Sequence, residues 1–232
     1  MDKIEYIFEA FGSAGIEISS EKAKKFLDLS EFMVEYNKNV NLTAITDFEG
    51  IVEKHFIDSV LPFASLEIAE NSSFIDVGTG AGYPSLPLLI WRGDLKGTLC
   101  DSNEKRCVYL KKACEMLGLS PEIIHTRAEL LGRTRRETYD IATARAVSAM
   151  PILTEFCLPF VKVGGMFAAL KSVNEGEKGS ENAIKTLGGK IEEIRDYTLP
   201  NGDKRRLILV RKISQTPTKY PRNSAGIIKK PL

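Results

Sequence analysis

One stretch limits the fold more than any other. FIDVGTGAGYPSLPL, residues 74–88, sets three glycines at alternate positions between an apolar run that ends in an acid and a second apolar run. Glycine takes positive φ without steric cost, so such a run is a bare turn whose backbone can approach a ligand closely. Apolar segments on both sides read as strand, turn and helix, the unit of a parallel α/β sheet. Dinucleotide-binding turns want G-x-G-x-x-G, with the pyrophosphate on the following helix N-terminus. Gly78, Gly80 and Gly82 give G-x-G-x-G, and Tyr83 stands where the third dinucleotide glycine belongs. A pyrophosphate reading is therefore weakened, and the G-K-[ST] of a phosphate-binding loop is missing.

The alternation continues along the chain. Short apolar runs at 74–77, 97–101, 122–125, 139–144, 166–171, 190–199 and 206–211 predict strands, with helical patterns at 85–91, 103–117, 149–160 and 176–187. Repeated βαβ units imply a mostly parallel sheet covered by helices on both faces. Asn201-Gly202 lies in the short link between the last two strands and predicts an antiparallel hairpin. Residues 1–66 read as a helical extension: Ala23, Phe26, Leu27, Leu29, Phe32 and Met33 recur at helical spacing after a Ser19-Ser20 cap, an Asn-rich loop follows, and a second helix is predicted over about 47–63 with Asp47 as its cap. Residues 67–213 form the α/β domain, and 214–232 a basic tail packed on or beside it.

With 232 residues the chain suffices for one such domain and its extension, and too little remains for a second large one. A net charge of +1 excludes a global field for polyanions, so any nucleic-acid site has to come from local clustering. The tail supplies one: after Asp203 there is no acid and there are nine basic residues. No apolar run nears the ~20 residues of a membrane span, and a cytoplasmic protein is expected. Cys100, Cys107, Cys114 and Cys157 show no CxxC spacing and read as buried free thiols, with neither metal site nor disulfide framework.

The run from Ile75 to Gly82 resembles the first motif of class I S-adenosylmethionine-dependent methyltransferases, an acid two residues before G-x-G-x-G. A zwitterionic ligand suits it, because Asp76 at the strand end neutralises an ammonium group while the glycines admit the amino-acid part. Asp101 ends the next strand, where an acid accepts ribose hydroxyls. The [ND]-P-P-[YF] stretch of exocyclic-amine methylation is replaced by ATARAVSAM, and no Pro-Cys pair serves C5 chemistry. Two rivals are a methyltransferase for a small molecule or protein, which would not need the basic tail, and a nucleotide-binding regulatory protein using the loop without chemistry.

Across nearly its whole length the chain resembles one family, the bacterial small-subunit ribosomal RNA guanine-N7 methyltransferases, RsmG or glucose-inhibited division protein B. The matching stretches are NLTAI from Asn41, H-x-x-DS from His55, DVGTGAGYPSLPL from Asp76, L-x-DS-x-x-KR from Leu99, RAE from Arg127, RAV from Arg145, YPR from Tyr220 and the closing KKPL. Tyr83, where the family often has Phe or Leu, and Ser85, commonly Gly, are departures. The resemblance implies a class I methyltransferase fold, Rossmann-like, with a seven-stranded mostly parallel sheet, a terminal antiparallel hairpin and a helical N-terminal extension. It implies S-adenosyl-L-methionine as cofactor and 16S ribosomal RNA or the small ribosomal subunit as partner, with no metal. Cofactor contacts carried over are Asp76, Gly78, Gly80, Gly82, Tyr83, Asp101, Ser102, Ala128, Glu129 and Arg145.

Guanine N7 keeps a free lone pair, so the reaction needs no base. Placing the nucleophile in line at about 3 Å is the enzyme's main task, and positioning alone contributes up to ~7–11 kcal/mol. Arg145, after the fourth strand, is the expected positioning residue, and His55 reads as structural. Lys105, Arg106, Lys204, Arg205, Arg206, Arg222, Lys229 and Lys230 are expected to hold RNA phosphates, with the cluster Arg133, Arg135 and Arg136 as a weaker extension. No coiled coil or long apolar edge argues against a monomer.

Overall fold

The structure, a computed structural model, describes residues 2–145, 148–176 and 179–232. The N-terminal segment forms α1 (Lys3–Ser13) and α2 (Ser20–Asn37), and the Ser19 side chain caps α2 by accepting from the Lys22 N–H at 3.3 Å. The helix expected over 47–63 is three pieces end to end: α3 (Phe48–Ile51), a π-helical turn (Val52–Ile57) and α4 (Asp58–Ala64). Asp47 caps α3 through the Gly50 N–H at 2.7 Å. A Cβ at position 50 would stand 2.5 Å from the Asp47 carboxylate, so a larger residue there would make that side chain shift.

The α/β part runs β1 (Ser73–Val77), α5 (Ser85–Trp91), β2 (Lys96–Asp101), α6 (Glu104–Leu117), β3 (Glu122–His125), α7 (Ala128–Thr134), β4 (Tyr139–Arg145), α8 (Met150–Cys157), a 3-10 turn (Leu158–Phe160), β5 (Val161–Ser172), α9 (Glu181–Thr186), β6 (Gly189–Thr198), β7 (Lys204–Lys212) and α10 (Ser224–Lys229). The sheet order is β3-β2-β1-β4-β5-β7-β6, with β7 antiparallel to both neighbours, as the Asn-Gly hairpin predicts. Strand order reverses between β1 and β4, so a crevice opens at their carboxyl ends. The expected helix over 176–187 is shorter, and Glu177 and Lys178 within it lie outside the described residues. Helices α7 and α10 were not anticipated, because six or seven residues carry too little periodicity to be read.

Helices α1, α2, α5 and α6 share one apolar core on one sheet face. Phe11, Phe26 and Phe56 form an aromatic chain with centroids 4.8 and 5.0 Å apart, and Phe32 of α2 stacks on Tyr109 of α6 at 5.7 Å. The opposite face packs Leu153, Phe160, Phe167 and Ile208 with α8 and α9. The N-terminal extension is thus a layer of the same globule. All four cysteines are buried free thiols.

Cations on both sides of the junction bind the tail to the body. Arg136 donates to the carbonyls of Thr216, at 2.6 Å, and Tyr220. Lys212 is buried and donates to the carbonyls of Leu158 and Leu187 at 3.0 and 3.1 Å, and burial pushes its ammonium down to about 8. Arg222 wraps the fully buried Glu155 carboxylate, with its Nε 2.9 and 3.1 Å from the two oxygens. The guanidinium of Arg222, expected to hold RNA, neutralises an acid inside the fold. Replacing Arg222 with alanine strands that carboxylate, and an unpaired buried charge costs on the order of 3 kcal/mol. Denaturant unfolding of Arg222→Ala should show a loss of about that size, whereas an unchanged midpoint would mean the pair is dispensable.

Candidate functional site

The crevice is a cleft of about 930 Å³. Its floor is the glycine loop, where Gly78, Gly80 and Gly82 have φ of +71°, +60° and +87°. Backbone N–H groups of Gly78 and Thr79 donate to the Cys100 carbonyl at 2.8 and 3.2 Å, tying the loop to β2. Asp101 then takes the Gly80 N–H on Oδ2 at 2.9 Å and the Asn103 N–H on Oδ1 at 2.8 Å, with Arg106 Nη1 3.6 Å away. Gly78, Gly80, Tyr83, Asp101, Ser102, Ala128, Glu129 and Arg145 all line the cleft, as does Arg106.

Two expected ligand contacts do not line it. Gly82 faces the protein interior, where a Cβ would stand 2.5 Å from Leu86 and 3.0 Å from Leu110; its glycine serves packing of the loop onto α5 and α6. Asp76 lies beneath the loop, fully buried, with Oδ2 accepting from the Ser85 hydroxyl. Its Oδ1 has no hydrogen-bond partner among the described residues. Burial raises this carboxyl to about 7, against the opposing hydrogen bonds of Ser85 and Thr79.

Arg145, at the end of β4, is held from several sides. Nη1 donates to the Lys54 carbonyl at 3.1 Å and lies 3.4 Å from Asp58 Oδ2; Nη2 is 3.2 Å from His55 Nδ1. The guanidinium sits 5.0 Å from the centroid of the Tyr83 ring, and His55 stacks on that ring at 4.4 Å and 20°. Burial first, and Arg145 second, depress His55 to about 3, so its ring is neutral at physiological pH. Nδ1 also lies 3.1 Å from the Lys54 carbonyl and Nε2 2.9 Å from Thr43 Oγ1, so a proton on Nδ1 is donated to Lys54, whereas a proton on Nε2 leaves Nδ1 to accept from Arg145. Asn37 fixes that threonine loop by accepting the Leu42 and Thr43 N–H groups at 2.7 and 3.1 Å. NLTAI, H-x-x-DS and Arg145 therefore meet at one wall, while Ala146 and Val147 of the RAV stretch lie outside the described residues.

Other cations divide between surface and framework. Lys105, Lys204, Lys229 and Lys230 are exposed. Arg205 is 3.3 Å from Asp58 and 3.2 Å from Asp203, and Arg206 chelates Asp196 at 2.6 and 2.8 Å. Arg135 pairs with Glu122 at 2.6 Å, and Arg136 is the tail anchor already described. Reading the sequence missed Thr43, Ser224 and Ile228 as cleft residues. Ser224, whose hydroxyl donates to the buried Glu129, follows an Asn cap of α10, the only local sign that the tail folds back. Among the described residues no group of three or more His, Cys, Asp or Glu is placed to hold a metal, and no helix is long and apolar enough to cross a membrane.

Sheet order, switch-point cleft and glycine floor define a class I methyltransferase-type fold. TrmN from Thermus thermophilus superposes with a TM-score of 0.54 at 18% identity, covering 70% of this chain and 53% of that one. The model of the family described as rRNA small subunit methyltransferase G matches residues 21–207. "Ribosomal RNA small subunit methyltransferase G" of Clostridium perfringens strain 13 is 44% identical over all of both chains, and that of Clostridium beijerinckii 46% identical over 94% of each. This chain belongs to the rRNA small subunit methyltransferase G family.

The two inner glycines should separate by substitution. Gly82→Ala combines a positive φ with overlap against Leu86, so a loss of about 2 kcal/mol or more is expected in thermal or denaturant unfolding. Gly80→Ala, whose Cβ meets nothing closer than 3.9 Å, should cost less stability and chiefly weaken ligand binding in the cleft.

Proposed function

We propose that this protein transfers a methyl group from S-adenosylmethionine to N7 of one guanine in the 16S ribosomal RNA of the small subunit. The observation that carries the reading is the cleft itself: a glycine floor backed by an acid with one oxygen unpartnered, walled by a guanidinium that the family motifs jointly hold in place. Cleft volume lies within the ~300–1,000 Å³ of small-molecule sites. Asp76, buried beneath the glycine turn and outside the cleft lining, would act on the donor's ammonium through its charge under the floor, and the backbone of Gly78 and Gly80 leaves room for the amino-acid part. Asp101 and Glu129, both buried, suit ribose hydroxyls, with Ser102 and Ala128 beside them. When bound, S-adenosylmethionine supplies a methyl group on a sulfonium, activated toward a nucleophile.

The chain's own residues then have one task at the acceptor, which is to orient it. The N7 lone pair is free, and neutral His55 faces Thr43 and Arg145, so no proton transfer is assigned to it. Arg145, immobilised by Lys54, His55 and Asp58, forms a fixed wall against which the base is aligned.

Mapping of N7-methylguanine in 16S ribosomal RNA from cells with and without the gene tests this reading; identical maps would overturn it. In a purified methylation assay on small subunits, Arg145→Ala should lose at least tenfold in kcat/KM, and a wild-type value would remove its positioning role. Asp76 adds a pH signature. Its folded value of about 7 stands above the ordinary 3.8, so its contribution to the stability of the free protein is full below about 4 and is lost as pH rises through 7. Calorimetric affinity for S-adenosylhomocysteine should rise between pH 6 and 7.5 as Asp76 ionises against the ligand ammonium, and Asp76→Asn should flatten both trends.

A further inference from the structure

A second cavity, of about 290 Å³, adjoins the cleft, and the described residues common to the two linings are His55 and Arg145. It is bounded by the end of β5, the start of β7 and the π-helical turn. Four cationic side chains line it, Lys54, Arg145, Lys171 and Arg205, against the carboxylates of Asp58 and Glu175. Asp203 stands beside the lining, 3.6 Å from Lys54 and 3.2 Å from Arg205, so four cations face three acids and one positive charge is left over.

One of the four cations is held where charge is costly. The Lys171 side chain is 1% exposed and donates to Glu175 at 3.0 Å and to the Ser148 carbonyl. Asp58 is already divided among Arg145, Arg205 and the Tyr197 hydroxyl, at 3.4, 3.3 and 3.0 Å. Among the described residues the Lys54 ammonium makes only its long contact to Asp203, and it keeps donor capacity. Clustered cations of this kind, partly withdrawn from water, are relieved by an anion. Ile45 and Leu170 add apolar surface beside the charges.

We infer that this cavity seats one phosphodiester of the RNA strand at the acceptor nucleotide, so that the base passes Arg145 into the cleft. A phosphodiester carries one negative charge, equal to the surplus. The volume sits at the small end of ligand sites, which suits a single nucleotide unit. Lys54 serves both ends of the arrangement: its carbonyl fixes Arg145, and its ammonium takes the phosphate. The assignment of RNA as the ligand rests on the function proposed above; the charge surplus does not.

Full-length protein, wild type and variants, is titrated with 16S ribosomal RNA over a series of salt concentrations, and separately with S-adenosylhomocysteine. Lys54→Gln should weaken RNA binding several-fold and make the log–log salt slope shallower by about 0.7, the value for one lost single-strand phosphate contact. Glu175→Gln, which raises the cavity charge by one, should shift affinity and slope the opposite way. Both side chains are substantially exposed, at 39% and 56%, so the variants should fold, and unchanged affinity for S-adenosylhomocysteine checks that. Shifts in the same direction, or no shift in either variant, overturn the inference. A wild-type protein that binds no S-adenosylhomocysteine counts against the proposed reaction instead, and the paired salt slopes still decide the cavity.

Discussion

The Arg145 guanidinium is the contact through which the N-terminal helices and the catalytic end of the sheet become one site. It leaves β4 at the switch point, where an arginine would ordinarily reach into water. Instead the π-helical turn presents the Lys54 carbonyl and the His55 ring to it, and Asp58 follows at the head of α4. A π-turn carries one residue more than an α-turn, which changes the facing of the groups around it, and such turns are frequent at functional sites. Tyr83, from the glycine loop, closes the assembly under both cation and imidazole. The glycine loop, the N-terminal layer and β4 are thereby locked to a common geometry. Pre-organisation of this kind is what a reaction without proton transfer requires.

The neutrality of His55 follows from the same contact. An imidazolium there would face a guanidinium while buried, and both terms depress its pKa. The neutral ring meets Arg145 and the Lys54 carbonyl at Nδ1 and Thr43 at Nε2, so the histidine ties together two stretches of sequence twelve residues apart.

The parts of this design that sequence reading reached are local ones. Ser19, Asp47 and the Asn201-Gly202 turn act within a few residues of themselves, and the strand-end acids Asp76 and Asp101 are found from a change of periodicity. Which way a side chain points at a tight turn is harder to read. Gly82 looks like its neighbours Gly78 and Gly80 in the pattern, yet it serves Leu86 and Leu110 on the helices behind it. Long-range pairing is harder still. A tail of nine cations reads as an RNA surface, but Arg222 finds Glu155 67 residues away and Lys212 finds three oxygens inside the fold, with nothing in the local sequence to announce either. Net charge along a segment measures what is available to a polyanion only after such internal partners are subtracted.

That subtraction leaves a charge pattern with a boundary. On one side of Arg145 the cleft acids Asp101 and Glu129 lie among Arg106 and Arg127, with Asp76 beneath the floor; on the other, Lys54, Lys171 and Arg205 match the carboxylates of Asp58, Glu175 and Asp203, and Arg145 itself is the surplus cation. The methyl donor of the proposed reaction is cationic at its sulfonium and ammonium, and the acceptor strand is anionic at each phosphate. A single open crevice of uniform polarity would favour one ligand and repel the other. Two adjoining chambers, one with carboxylates at its floor and wall and the other with a surplus cation, give each proposed ligand its own partners, and Arg145 is the wall they share. In the proposed reaction Arg145 would stand between donor and acceptor strand, and its fixation by Lys54, His55 and Asp58 holds that shared wall in one place whichever ligand binds first.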